Sequence, residues 1–119
     1  MGRLDLERKG DSSISSTADL YKPNSPADRS KPIGTKTSDY TILASDYTIL
    51  ADATANTVTI SLPASPSAGQ IFCIKCVNDT FAVTVDRNGK NIDGDASDMT
   101  LIEDESILVQ YDGASWRIL

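Results

Sequence analysis

From residue 38 onward the chain is cut into short apolar runs, and almost every run ends on a turn signal. The runs are β-branched or aromatic, no segment carries a helical period, and Gly, Pro, Asn and Asp fall between them. That pattern restricts the chain to an all-β fold. Strands are predicted near 39–43, 46–51, 56–62, 69–77, 80–86, 99–102, 105–111 and 115–119, with a short extended piece at 91–92. The expected architecture is a compact antiparallel β-sandwich or barrel-like body of about eight short strands over 38–119, preceded by an extended N-terminal arm over 1–37. Asn88-Gly89, Asp93-Gly94-Asp95 and Asp112-Gly113 are the strongest turn signals, because these residues tolerate a left-handed backbone. Leu62-Pro63 should end a strand, since proline donates no ladder hydrogen bond.

The heptad SDYTILA occurs twice in tandem, at 38–44 and 45–51. Two units rich in Thr and Tyr do not make a coiled coil. As a strand pair the repeat works: Tyr, Ile and Ala of YTILA share one face, while Thr and Leu share the other. Seven is odd, so an unbroken strand would swap faces between copies, and a bend or bulge near Ala44–Asp46 is expected to correct this. Asp39 and Asp46 then stand at strand starts, each placed to accept a nearby backbone N–H. Adjacent strands with similar neighbours and a recent duplication both account for the likeness.

The expected core is Ile42, Ile49, Val58, Ile60, Leu62, Ile71, Cys73, Val83, Val85, Ile92, Leu101, Ile107, Val109, Trp116 and Ile118. Phe72, Ile74, Phe81, Leu108 and Tyr111 are assigned to the opposite face, where they can cover a second interface. A small all-β body with two apolar faces and open edges favours self-association, so a homo-oligomer is expected.

Residues 1–37 read differently. They are rich in Ser, Asp, Lys and Pro, and the apolar residues Leu4, Leu6, Ile14, Leu20, Tyr21 and Ile33 show no sustained period. Spaced single anchors suit an extended chain laid over a larger surface or a sister subunit. The segment holds seven basic and five acidic side chains, a net of +2, against four and twelve in 38–119, a net of -8. An acidic body speaks against nucleic acid as a partner. No apolar run is long enough to insert in a membrane, and MGRLDLERKG lacks the hydrophobic stretch of a signal peptide.

Chemistry finds little to use. The chain contains no histidine, so a Ser-His-Asp or Cys-His arrangement within one chain is excluded. Cys73 and Cys76 have the spacing of half a zinc site but no third or fourth Cys or His ligand, and on a strand they point to opposite faces. Asp86, Asn88, Asp93, Asp95 and Asp98 suggest calcium, yet lack the EF-hand spacing and read mainly as turn residues. Glu103 and Glu105 fall at a turn rather than in a cleft. No catalytic residue, metal or cofactor is expected. Tyr40, Tyr47 and Tyr111 are the candidate recognition surface, with cross-strand packing as their other reading. Trp116 is read as closing the core after the Asp112-Gly113 turn.

Four pieces taken in order resemble a known family: YTILASDYTILADAT, NTVTISLPASPSAGQIFCIKCV, FAVTVDRNGKNIDGDASDMTL and SILVQYDGASWRIL. Together they are similar to the small β-rich module of tail-fibre, tailspike and other virion proteins of tailed bacteriophages. Asp112-Gly113-x-x-Trp116 is the most telling element, and Asn91-Ile92-Asp93-Gly94 the second. The resemblance covers 38–119 and says nothing of 1–37. It implies a structural or displayed module of a virion, made in the host cytoplasm, trimeric, with capsid, tail or baseplate proteins as partners. Because the module stands almost alone behind an arm, a head or tail decoration protein is expected. The alternative is a tail-fibre module that binds a receptor or a host surface glycan. Fold-level resemblance carries function only weakly.

Overall fold

The computed structural model describes residues 29–119. Among them there is no α-helix, and nine short strands follow in order: β1 Ile33–Lys36, β2 Tyr40–Thr41, β3 Thr48–Asp52, β4 Val58–Ser61, β5 Ile71–Asn78, β6 Val83–Asp86, β7 Met99–Leu101, β8 Ser106–Tyr111 and β9 Trp116–Ile118. The eight expected strands are all present, and the extended piece at 91–92 forms isolated bridges from Ile92 to Asp95 and to Trp116. The ninth, β1, lies inside the stretch expected to be arm. Its backbone is registered with β3 from Ile33↔Thr48 to Lys36↔Ala51, so the β body begins before residue 38.

The pairing corrects the antiparallel expectation. One sheet has the order β1-β3-β5-β8-β9 and the other β2-β4-β6-β7. The pairs β1–β3, β3–β5, β2–β4 and β4–β6 are parallel, while β5–β8, β6–β7 and β8–β9 are antiparallel. From β1 to β6 the chain alternates between sheets, so each sheet grows by every second strand. Parallel neighbours need a crossover connection. Here the crossover is a strand of the other sheet, which is how short runs without helices make parallel ladders. Strands β7 and β8 run against the earlier strands of their sheets, and β9 turns back beside β8.

The heptad repeat follows the same logic. Its first copy supplies β2 and its second supplies β3, one copy to each sheet. The face correction occurs where the odd length demands it. Asp46 N–H donates to the Leu43 carbonyl at 2.9 Å, closing a turn over Ala44–Ser45. The Asp46 carboxylate accepts from Leu43 N–H at 2.8 Å. Ile42 and Ile49 are both buried as a result. Asp39 does not cap its own turn; it accepts the N–H of Thr59 in β4 at 2.9 Å and so ties the first copy to its neighbour.

Both sheets contribute to one hydrophobic cluster. The five-stranded sheet gives Ile49, Ala51, Phe72, Ile74, Cys76, Ile107, Val109, Tyr111 and Trp116; the four-stranded sheet and its flanks give Ile42, Val58, Ile60, Leu62, Val83, Val85 and Leu101. The phase of β5 is opposite to that expected: Phe72, Ile74 and Cys76 are buried, while Ile71 and Cys73 face outward and are only half-buried. Tyr111 shares the buried phase of β8 with Ile107 and Val109, so it belongs to the core and not to the opposite face. Ile118 packs at the margin of the core rather than within it.

Candidate functional site

The two elements that carry the resemblance are joined to each other. Asp93-Gly94 forms a tight reversal with φ values of 50° and 85°, and Ile92 and Asp95 exchange backbone hydrogen bonds across it at 3.0 and 2.9 Å. Both central residues lie in the left-handed region, which Asp and Gly tolerate best. This hairpin is then bound to β9. Trp116 N–H donates to the Asn91 carbonyl and Asp93 N–H to the Trp116 carbonyl, each at 2.8 Å. The Asp93 carboxylate accepts the N–H of Ile118 at 3.0 Å. The loop after β6, in one sheet, is thereby fixed to the last strand of the other.

Trp116 is the centre of the junction. It is fully buried, with its ring 5.9 Å from Phe72 and 5.2 Å from Tyr111, both tilted by 54°. Tilted aromatic pairs at this spacing add to simple area burial. Its indole N–H has no hydrogen-bond partner among the described residues. Trp116 lies wholly within the core, so its ring is not exposed to a ligand.

Asp112 organises the turn before Trp116. One carboxylate oxygen accepts the N–H groups of Ala114 and Ser115, both at 2.8 Å, and the other accepts Arg117 Nε–H at 2.8 Å. Gly113 follows at φ 101°, where a side chain is strained. The Ser115 bond, the Arg117 bond and the Ala114 bond together hold the Asp112 carboxyl at about 2, below its usual 3.8. A depressed carboxyl stabilises the fold fully above its usual value and loses that contribution as pH falls through the folded one. Asp112→Ala is therefore expected to melt below the parent chain at pH 6. The gap should close as pH drops from 4 toward 2, read as melting temperature by circular dichroism. A gap that stays constant across that window would contradict this role.

The candidate recognition tyrosines do not form one surface. Tyr111 is 6% exposed and stacked on Trp116, because the buried phase of β8 takes it inward. Tyr40 is partly buried: its hydroxyl donates to Asp46 at 2.6 Å, and Lys36 Nζ lies 3.9 Å from its ring centre. The hydrogen bond to Asp46, then burial, then the carboxylate's charge raise the Tyr40 hydroxyl above its ordinary value. Tyr47 is half-buried at the entry to β3, and its carbonyl accepts Cys73 N–H. Of the anchor residues, Ile33 is 66% exposed in β1, and Leu4, Leu6, Ile14, Leu20 and Tyr21 lie outside the described residues.

A shallow cleft of about 190 Å3 opens between Ile92, Asp93, Asp95, Ser97, Asp98, Met99 and Ile118. Two of its three carboxylates are already employed in the fold. Asp93 caps Ile118, and Asp98 accepts Arg87 N–H at 3.0 Å. Asp86 likewise accepts from Asn88 N–H and Ser61 Oγ–H, and the Asn88 side chain donates to the Leu62 carbonyl, fixing the chain where Pro63 ends β4. Among the described residues no group of three or more Asp, Glu, Cys or His is placed to hold a metal ion. Cys73 and Cys76 are both free thiols on opposite faces of β5. Burial raises the Cys76 thiol above its usual value, with the charges of Asp79, Glu103 and Asp104 adding to it against a backbone hydrogen bond to Asn78.

No protein-family model matches the chain, and no curated protein matches it.

Proposed function

We propose that the chain is a non-enzymatic structural component of a tailed-phage particle. In this reading it is a head or tail decoration protein, made in the host cytoplasm and built into the virion. The N-terminal segment anchors it to a capsid, tail or baseplate protein, and the β body, a compact sandwich in which two sheets share one core, is displayed outward. The body self-associates, and the three-fold state is what the resemblance suggests. The observation that carries the reading is the junction just described. Asn91-Ile92-Asp93-Gly94 and Asp112-Gly113-x-x-Trp116, the two elements on which the resemblance leans most, bond to each other and close the core.

The receptor- or glycan-binding alternative needs an exposed aromatic platform. It keeps Tyr40 and Tyr47 but loses Tyr111 to the core. The deciding experiment compares the full chain with residues 31–119 for sedimentation with particles that lack the protein, and for binding to whole host cells. Particle binding by the full chain alone supports the anchored decoration protein. Particle binding that survives removal of residues 1–30 overturns the anchor. Cell binding by the body, lost on Tyr47→Ala, favours the alternative.

A further inference from the structure

The solvent faces of the two sheets are chemically unlike. On the four-stranded sheet the outward rows are Thr59–Thr84–Thr100 and Thr41–Ser61–Asp86, all polar. That is what a sheet with one wet face carries. On the five-stranded sheet one outward row runs through β1, β3, β5 and β8 as Ile33, Thr48, Cys73 and Leu108 and ends on Leu119, just past β9. Leu50 and Ile71 flank it on either side. The two ends of the row, Ile33 at 66% and Leu119 at 65% exposed, are the most exposed large apolar side chains of the described residues. Among the described residues no strand is paired or clustered over this face.

Charge narrows what covers it. The stretch 38–119 carries twelve acidic side chains, yet the three central outward rows of the five-stranded sheet hold none; Asp52, on the same phase at the end of β3, has its carboxylate engaged by Thr54. The cations at their borders are engaged within the chain: Lys75 Nζ donates to the Asp104 carbonyl at 2.9 Å, and Arg117 is paired with Asp112. The face is therefore rich in apolar side chains and close to neutral, with Lys75 and Asp52 carrying opposite charges at its border and Arg117 paired with Asp112. Two bodies of net negative charge repel wherever their acidic surfaces meet. A neutral apolar face is the surface on which copies of an acidic chain approach without that cost. Its size fits as well. Five strands at ~4.8 Å and three rows of side chains span on the order of 400 Å2 per copy. Two copies then bury on the order of 800 Å2 in total, the size of a weak, concentration-dependent association.

We propose that the outer face of the five-stranded sheet, centred on Cys73 and Leu108, is the self-association surface of this chain, and that its occupant is a second copy. This rests on the self-association in the function proposed above and assigns it a face. The test is light scattering and sedimentation of the full chain across a concentration series. It compares the parent with Leu108→Glu and with Thr84→Glu, which places the same charge on the other sheet. The rate at which a maleimide labels Cys73 is followed in parallel, in a Cys76→Ser background. The expected result is an oligomer whose dissociation constant rises at least tenfold in Leu108→Glu and stays put in Thr84→Glu. Cys73 labelling of the parent should slow as concentration rises.

An oligomer insensitive to Leu108→Glu overturns the face while leaving self-association intact. A full chain that stays monomeric, with Cys73 labelling independent of concentration, overturns the second copy as occupant; particle binding then decides the decoration function on its own. If Leu108→Glu fails to fold by circular dichroism, Ile33→Glu at the exposed end of the row replaces it under the same criteria.

Discussion

Trp116→Ala is expected to lower the unfolding free energy by about 3–5 kcal/mol, the range for removing a buried large aromatic. Small domains hold about 5–15 kcal/mol in total, so the variant should be marginal or unfolded at 37 °C. Three losses act together. The indole is fully buried, it packs on Phe72, and it packs on Tyr111. Trp116→Phe separates these terms. The indole N–H has no partner among the described residues, so its removal abandons no hydrogen bond. Phenylalanine should then cost only the lost volume, roughly 1–2 kcal/mol. Urea titration followed by far-ultraviolet circular dichroism measures both variants. An alanine variant within about 1 kcal/mol of the parent would sink the assignment of Trp116 as the closing residue.

The second large effect concerns where the body begins. Chains starting at residue 31 and at residue 38 should differ sharply, because only the first retains β1. Loss of β1 removes a four-position parallel ladder and leaves β3 as a bare edge. At ~0.5–1.5 kcal/mol net per backbone hydrogen bond, the ladder is worth about 2–4 kcal/mol. Strand β3 alternates between half-buried and buried positions, and its exposed edge would offer Thr48–Asp52 for pairing with another chain. The chain from 38 should melt lower and aggregate, and the chain from 31 should not. Equal melting temperatures would show that β1 adds nothing to the body.

Strand existence was legible in the sequence because turn residues punctuate it so regularly. Partner choice was not. Period-two alternation reports which face is buried and is silent on whether the neighbour runs parallel, so the sequence rows of β3, β4, β5 and β6 are compatible with either arrangement. Strand β1 escaped notice because IGTK holds one large apolar residue and a glycine, in a stretch flanked by Pro32 and Ser38. Its place comes from the register with β3, a tertiary fact. The inverted phase of β5 has a plainer cause. Ile71-Phe72-Cys73-Ile74 is apolar on both phases, so local pattern does not choose between them. Choosing Ile71 and Cys73 for the core put Phe72 and Ile74 on the wrong side. Tyr111 erred with them, although its two-residue spacing from Val109 carried the correct signal. At the candidate site, the turn chemistry of Asp93-Gly94 and Asp112-Gly113 was readable residue by residue. That the two turns would meet across Trp116 was not, since they stand far apart along the chain.

The position of that meeting point sets the timing of folding. Through β6 each sheet is built from strands that are not consecutive, and the residue that seals the interior lies on β9, the last strand to be made. Loop closure must precede the reward of such distant contacts, which makes folding slow relative to a helical chain of the same length. During synthesis the segments through β6 emerge first, with Phe72 and Ile74 finished but without Trp116 to cover them. The nascent chain thus passes through a stage in which Phe72 and Ile74 are open, and chaperone demand should fall only once β9 has emerged and docked. A slow codon placed ahead of β8 would lengthen that exposure, and a solubilising C-terminal fusion would have to leave β9 free to dock.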